Sequence, residues 1–340
     1  MIKFYIDKII EKNDLSIEEA YSAMHKIMDG EISNSQLAAF LVAMKLKGES
    51  PEEIAGFAKA MRDKSIKIIS QNNNAIDVCG TGGDDSGTFN ISTAVSFVVA
   101  GAGITVAKHG NRSISSNCGS ADVLSELGVN VNLSPQQSEE ALNNIGIAFL
   151  FAPIYHPAMK HAAQVRKELA MKTIFNLLGP ITNPAGTKKQ IIGTFHRKAA
   201  ELLAQASQYL DFENINFIST SNKYDEILLR GITDVFQYKA NESIFSYKLT
   251  NHDFDMPQAD LSSLIGGDSK INAGIILDII RNKKRNSAFN VVVANAALAI
   301  KTAGISDNLL KCKKLAEESI LSGKAFSKLN ELRKFGEKYS

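Results

Sequence analysis

Between Asp77 and Thr93 the chain reads DVCGTGGDDSGTFNIST. Gly80, Gly82, Gly83 and Gly87 leave the backbone bare, and hydroxyls follow at Thr88, Ser92 and Thr93. A loop of this kind running into a helix N-terminus is an anion site, because unpaired amides and the helix dipole both favour negative charge. The plain alternative is a glycine-rich turn between a strand and a helix. Asp84 and Asp85 sit in its middle, which makes bare phosphate a poor ligand. A nucleoside triphosphate loop requires Lys after its last glycine, and Thr88 stands there. The dinucleotide fingerprint is absent too, since GAGITV ends in Val and precedes its strand.

A second polar stretch, KHGNRSISSNCGSAD, gathers Lys108, His109, Asn111, Arg112, Ser113, Ser115, Ser116 and Ser120. It reads as one strand-to-helix connection, either a second donor-rich anion loop or a solvated surface loop. Asp225 and Glu226 form an adjacent acidic pair. On an extended strand such neighbours face opposite ways, which argues against a shared-proton dyad. They suit Mg²⁺, a hard ion that takes carboxylates together with substrate phosphates, or else form an exposed acidic pair. Arg166 lies on a polar-edged helix, and Gly179-Pro180 followed by Asn183-Pro184 reads as a rigid bend. None of the six histidines has a metal-ligand spacing such as HExxH.

These residues need a frame. The first seventy residues read as helices started by capping boxes at Ser16/Glu19, Ser33/Gln36 and Ser50/Glu53, with Gly30 and Gly48 as stops. Apolar residues recur between them at helical spacing, so this small pack must rest on the remaining chain or on another subunit. From Ile76 short apolar runs alternate with helical segments: AIDVC, ITVA, IAFLF, KQIIGTF and NINFIS each precede a helix or polar loop. That alternation predicts an α/β fold with a central, mainly parallel sheet flanked by helices. Ligands then bind beyond the carboxyl ends of the strands, where both polar loops fall. YDEILL, DVFQYK and SIFSYKL read as further strands, and the end of the chain returns to helix over 291–303 and 308–335.

Composition bounds the partners. The chain has 340 residues and a formal net charge of +2, so there is no electrostatic case for nucleic acid or a membrane surface. Its apolar runs are too short to span a bilayer, and the charged start MIKFYIDKIIEKND resembles no signal peptide. Cys79, Cys118 and Cys312 lie far apart without CxxC spacing. No zinc site is expected, and a reducing, cytoplasmic compartment is.

Taken in order, GTGGD (80–84), TFNIST (88–93), KHGNRS (108–113), GSADVL (119–124), NLLGPITNP (176–184) and the acidic pair 225–226 closely resemble the anthranilate phosphoribosyltransferase family. The resemblance implies a small helical domain, residues 1–70 with a returning segment near 166–187. It also implies a hinged larger α/β domain, 71–165 and 188–340, and a homodimer through the helical domain. The implied reaction moves phosphoribosyl from phosphoribosyl pyrophosphate to the amine of anthranilate, with Mg²⁺ and no covalent nucleophile or assigned acid/base residue. Carried over, Gly80, Gly82, Gly83, Asp84, Thr88, Asn90, Ser92, Thr93, Lys108 and Ser120 would hold phosphoribosyl pyrophosphate. Ser92, Asp225 and Glu226 would hold Mg²⁺. Gly80, His109, Asn111, Arg166 and Gly179 would meet anthranilate, with Arg166 on its carboxylate. The sequence departs from the family pattern at Asp85, Asn117, Cys118, Ser125 and the KY of KYDE. Pyrimidine nucleoside phosphorylase, of the same fold and with a similar Lys-His-Ser loop, is the alternative.

Overall fold

Four helices open the chain, in a computed structural model that describes residues 2–72, 74–82, 86–113 and 118–339. They are α1 (Ile2–Ile10), α2 (Ile17–Met28), α3 (Asn34–Lys47) and α4 (Pro51–Asp63). All three expected capping boxes form. Gly30 and Gly48 follow α2 and α3 with φ of 71° and 88°, a conformation that costs glycine little. Met24, Phe40 and Phe57 are buried in one core with Ile174, Leu178, Leu203, Phe217 and Phe236. The helical pack therefore rests on the later chain, including one face of the sheet.

That sheet has seven strands in the order β3-β2-β1-β4-β5-β6-β7. They are β1 (Ile76–Gly80), β2 (Val106–Gly110), β3 (Ile147–Phe151), β4 (Lys189–Gly193), β5 (Asn214–Thr220), β6 (Thr233–Lys239) and β7 (Phe245–Leu249). The first five run parallel, and β6 and β7 are antiparallel. Between them lie α5 (Ile91–Gly101), α6 (Ser120–Glu126), α7 (Pro135–Ile145), α8 (Ala152–Tyr155), α9 (Lys160–Leu169), α10 (Ile174–Leu178) and α11 (Arg197–Ser207). The chain ends in α12 (Ser269–Ile280), α13 (Ser287–Thr302), α14 (Leu309–Leu321) and α15 (Lys324–Glu337). Strand order reverses at β1, whose neighbours are β2 and β4, and such a switch point opens a crevice at the strand ends. No helix among the described residues is long and apolar enough to cross a membrane.

The sequence expectations are corrected at four places. Lys108 and His109 lie on β2 itself, not in the connection after it. YDEILL is no strand: only Tyr224 bridges, to Thr220. Positive φ at Ser221, Asn222 and Leu229 turns this chain away from the ladder. The Asn295 side chain then supplies the missing pairing, bonding Ile227 N–H at 3.0 Å and Ile227 C=O at 2.8 Å. Ile227, Leu228 and Leu229 are apolar because they are core, not because they pair. Residues 308–335 form two helices, broken at Gly323 with φ of 76°. The fourth is α12, which no sequence signal had marked.

Candidate active site

Asp225 reaches the ends of the central strands because two glycines leave room for it. Gly80 and Gly193 end β1 and β4 as register partners. A Cβ on Gly80 would lie 2.5 Å from Asp225 Oδ2, and one on Gly193 would lie 1.7 Å from the Asp225 carbonyl. The acidic pair is thereby laid over the carboxyl ends of β1 and β4, in a bend rather than on a strand face. Among the described residues no group of three His, Cys, Asp or Glu side chains could hold a metal alone. The donor set of two carboxylates and a nearby hydroxyl fits a hard ion that completes its shell with phosphate oxygens and water.

Lys108 crosses from β2 to β1. Its Nζ donates to the Val78 carbonyl at 2.6 Å and to Ser92 Oγ at 3.2 Å, and the residue is 4% exposed. Burial pulls its ammonium below the ordinary lysine range, while Asp77, Cys79, Glu226 and Asp225 oppose that shift. Asp77, fully buried on β1, accepts from the His109 N–H at 3.2 Å and from Asn183 Nδ2 at 2.8 Å. Burial pushes its carboxyl up to about 6, against the pull of Lys108. Ser92 lies in the first turn of α5, so the ammonium, a hydroxyl and a helix N-terminus converge. Thr81 and Thr93 each carry a buried hydroxyl with no hydrogen-bond partner among the described residues. Gly82, with φ of 64°, and Gly87, with φ of 68°, flank residues 83–85. Gly83, Asp84 and Asp85 lie outside the described residues, as do Ser115, Ser116 and Asn117.

The second loop is drawn closed at its neck. Asp122 Oδ2 accepts from the amides of Ser113 (3.1 Å) and Gly119 (2.9 Å), and its Oδ1 takes Arg112 Nη1 at 2.8 Å. Arg112 thus pairs with Asp122 at the neck of the loop. Ser120 opens α6, with its Oγ donating to the Asn111 carbonyl at 3.3 Å. Asn90 Nδ2 donates to the Cys118 carbonyl at 3.0 Å and so joins the two loops. Cys118 is itself buried. Thr88, at the end of the first loop, bridges to Ile265.

On the other side of β2 the buried His109 ring lies beside the backbone of Gly179, and its centroid stands 5.2 Å from that of His156. Arg166 is partly buried on α9 with its guanidinium 5.1 Å from the centroid of Phe175, on the helix that Gly179 caps. No carboxylate among the described residues pairs with it, and burial lowers its pKa. Three of the five residues expected to meet the acceptor, His109, Arg166 and Gly179, thus belong to one connected region. Gly80 ends β1, and Asn111 follows the last residue of β2. His156, Asp77 and Gly193 were missed from sequence. Only the strand-end glycine in KQIIGTF carried any signal, because the other two residues act through contacts distant along the chain.

Burial holds His109 down to about 3 and His156 to about 4. Each is neutral when folded but takes a proton near pH 6.5 when unfolded. The unfolded state therefore binds more protons between about pH 6.5 and 4, so stability falls on acidification there. Asp77, raised to about 6, opposes this below pH 6, because its folded form holds a proton that the unfolded carboxyl releases. The two histidines outweigh the single carboxyl. The urea midpoint is expected to drop between pH 7 and pH 5, and His156→Gln to shallow that drop. A wild-type midpoint equal at both pH values would contradict a neutral buried pair.

Known proteins match this arrangement end to end. Residues 3–65 match the helical bundle domain of a glycosyl transferase family, and 72–326 match its a/b domain. The chain is 42% identical to an anthranilate phosphoribosyltransferase of Persephonella marina, covering 98% of this chain and 99% of that one. With that of Pelotomaculum thermopropionicum it shares 46% identity, covering 98% and 96%. The Thermus thermophilus anthranilate phosphoribosyltransferase structure superposes with a TM-score of 0.91 at 36% identity, covering 97% and 98%. The Saccharomyces cerevisiae enzyme in complex with PRPP and Mg gives 0.90 at 25%, covering 99% and 98%. With full-length likeness in sequence and fold, the chain belongs to the anthranilate phosphoribosyltransferase family.

Proposed function

We infer that this protein transfers the phosphoribosyl group of 5-phosphoribosyl 1-pyrophosphate to the amine of anthranilate, giving N-(5-phosphoribosyl)anthranilate and pyrophosphate, in tryptophan biosynthesis. The observation that carries this reading is the convergence of the glycine loop, Lys108, Ser92 and the Asp225 bend at the ends of β1 and β4. The transferase names of full-length relatives favour it over phosphorolysis of a nucleoside.

The ribose C1 loses its bond to pyrophosphate as the amine nitrogen bonds to it, and the amine then releases a proton. Carbon C1 passes through a state of oxocarbenium character, so the protein needs charge placement and alignment rather than a nucleophile. Gly80, Gly82, Gly83, Asp84, Thr88, Asn90, Thr93 and Ser120 are proposed to hold phosphoribosyl pyrophosphate, with Ser92 and Lys108 at its phosphates. Asp225, Glu226 and Ser92 would hold Mg²⁺, which neutralises the leaving pyrophosphate when bound. Lys108, which reaches Ser92 Oγ, would add positive charge toward the same pyrophosphate. Gly80, His109, Asn111 and Gly179 would form the anthranilate wall. Arg166 would face its carboxylate, for which a guanidinium fork is well shaped. Neutral His109 suits an aromatic amine that is itself neutral at pH 7.

The helical unit, 1–70 with 166–187, is proposed to close on the rest of the chain. The same unit is proposed to form a homodimer, a role that fits exposed Phe4 (58%) and Leu46 (81%). A cytoplasmic setting accords with three free cysteines.

Anthranilate fluorescence tests the reading: it should decay only when phosphoribosyl pyrophosphate and Mg²⁺ are both present. A flat trace from folded protein would overturn it. Arg166→Ala is expected to raise the anthranilate KM about tenfold or more while leaving that for phosphoribosyl pyrophosphate near its original value, because one charge-assisted contact is removed. An unchanged anthranilate KM would remove Arg166 from the site.

A further inference from the structure

The far limb of the glycine loop is held by a segment 177 residues later in the chain, counted from Phe89 to Gly266. Phe89 N–H donates to the Leu264 carbonyl at 3.0 Å, and Gly266 N–H donates to the Gly87 carbonyl at 2.8 Å. Gly266 permits this close approach: a Cβ there would lie 2.8 Å from Phe89 Cα and 2.6 Å from Asn272 Oδ1. Asn272, on α12 and 2% exposed, completes the strap. Its Oδ1 accepts from Gly267 N–H at 2.8 Å, and its Nδ2 donates to Asn90 Oδ1 at 3.0 Å. Asn90 in turn donates to the Cys118 carbonyl in the second loop.

Asn90 occupies the N-cap of α5 but makes no side-chain cap hydrogen bond. Its amide is instead directed across the site, with its carbonyl toward Asn272 and its NH₂ toward Cys118. An amide anchored at one end can present its remaining hydrogen-bonding capacity in one orientation. A buried donor that loses its acceptor, or an acceptor that loses its donor, carries a desolvation penalty that reorients the group.

We propose that Asn272 is a positioning residue for phosphoribosyl pyrophosphate binding: acting through Asn90, it holds the glycine loop and the loop before α6 in register. This rests on the phosphoribosyl pyrophosphate reading above and extends it to a helix that none of the assigned ligand residues occupies. Asn272 has no contact with the acceptor region around His109 and Arg166 among the described hydrogen bonds. Among the assigned acceptor residues it can reach only Asn111, and that indirectly through the loop before α6, so its effect falls mainly on phosphoribosyl pyrophosphate.

Initial rates of the full-length chain test this, with each substrate varied at saturating levels of the other and of Mg²⁺. Asn272→Ala is expected to raise the KM for phosphoribosyl pyrophosphate about tenfold, the scale of one buried hydrogen bond. The anthranilate KM should stay within about twofold of wild type. The double variant Asn90→Ala/Asn272→Ala should be no worse than Asn90→Ala alone, because the two losses share one interaction. If Asn272→Ala does not fold, Asn272→Asp gives the same readout: it keeps the acceptor for Gly267 N–H and the side-chain size but removes the donor to Asn90. An unchanged phosphoribosyl pyrophosphate KM, an equal rise in both KM values, or additive losses in the double variant would overturn the proposal. Wild-type protein with no turnover dependent on phosphoribosyl pyrophosphate would instead overturn the underlying reading, and the proposal with it.

Discussion

Replacing Asp225 and Glu226 together by Asn and Gln is expected to lower kcat/KM about a thousandfold, the scale seen when preorganised charge stabilisation is withdrawn from a transition state, and to shift the Mg²⁺ titration to higher concentration. These substitutions conserve shape and remove two negative charges. The bend that carries them should survive, because Asn295 holds Ile227 from both its N–H and its C=O, and Gly80 and Gly193 still clear its path. The loss should therefore appear in metal dependence rather than in the melting temperature. The same carboxylates favour the protonated state of Lys108, so their removal also weakens the neighbouring cation. A variant with a normal Mg²⁺ midpoint would exclude both residues as ligands.

Lys108→Met is the second large expectation. The variant keeps the aliphatic length that fills the space between β1 and β2 but loses the donor to Val78 C=O and Ser92 Oγ. About a hundredfold loss in kcat/KM is expected, with the KM for phosphoribosyl pyrophosphate rising, since one fixed charge beside the phosphates is gone. Stability carries an independent signature. Asp77 is fully buried, and removing the cation that opposes its upward shift leaves its carboxylate charge supported by the hydrogen bonds from the His109 amide and Asn183. Its folded pKa already stands at about 6 and should rise further in the variant. A group whose folded form holds its proton more tightly destabilises the protein most where it must ionise, above its folded pKa, and the penalty is relieved as it protonates. The stability gap between variant and wild type should thus be widest above pH 7 and narrow on acidification through pH 6. Denaturant titrations at pH 8 and pH 5.5 read this directly. A gap that does not change with pH would mean that Lys108 does not compensate Asp77.

Much of the frame was legible because it is local. Capping boxes such as Ser50/Glu53 are decided within four residues, and the structure forms them. Short apolar runs such as IAFLF and NINFIS match β3 and β5 to within a residue. Local pattern failed where polar residues stand inside a strand or apolar residues outside one. Lys108 and His109 read as loop because they are polar, yet β2 extends through them and buries them against β1 and the Gly179 bend. Ile227–Leu229 read as strand because they are apolar, yet they are core held by a side chain. The site showed the same divide. Family motifs named Ser92, Lys108 and Asp225, but Asp77, His156, Gly193 and Asn272 became visible only when residues far apart in sequence came within hydrogen-bonding distance or packing contact.

The measurement that bears most directly on the central claim is the stoichiometry of turnover. The purified chain is supplied with anthranilate, phosphoribosyl pyrophosphate and Mg²⁺, and released pyrophosphate is counted against consumed anthranilate, omitting each component in turn. One pyrophosphate per anthranilate, and neither without all three components, is the predicted result. Phosphorolysis of thymidine or uridine by inorganic phosphate, with no pyrophosphate released in response to anthranilate, would contradict it.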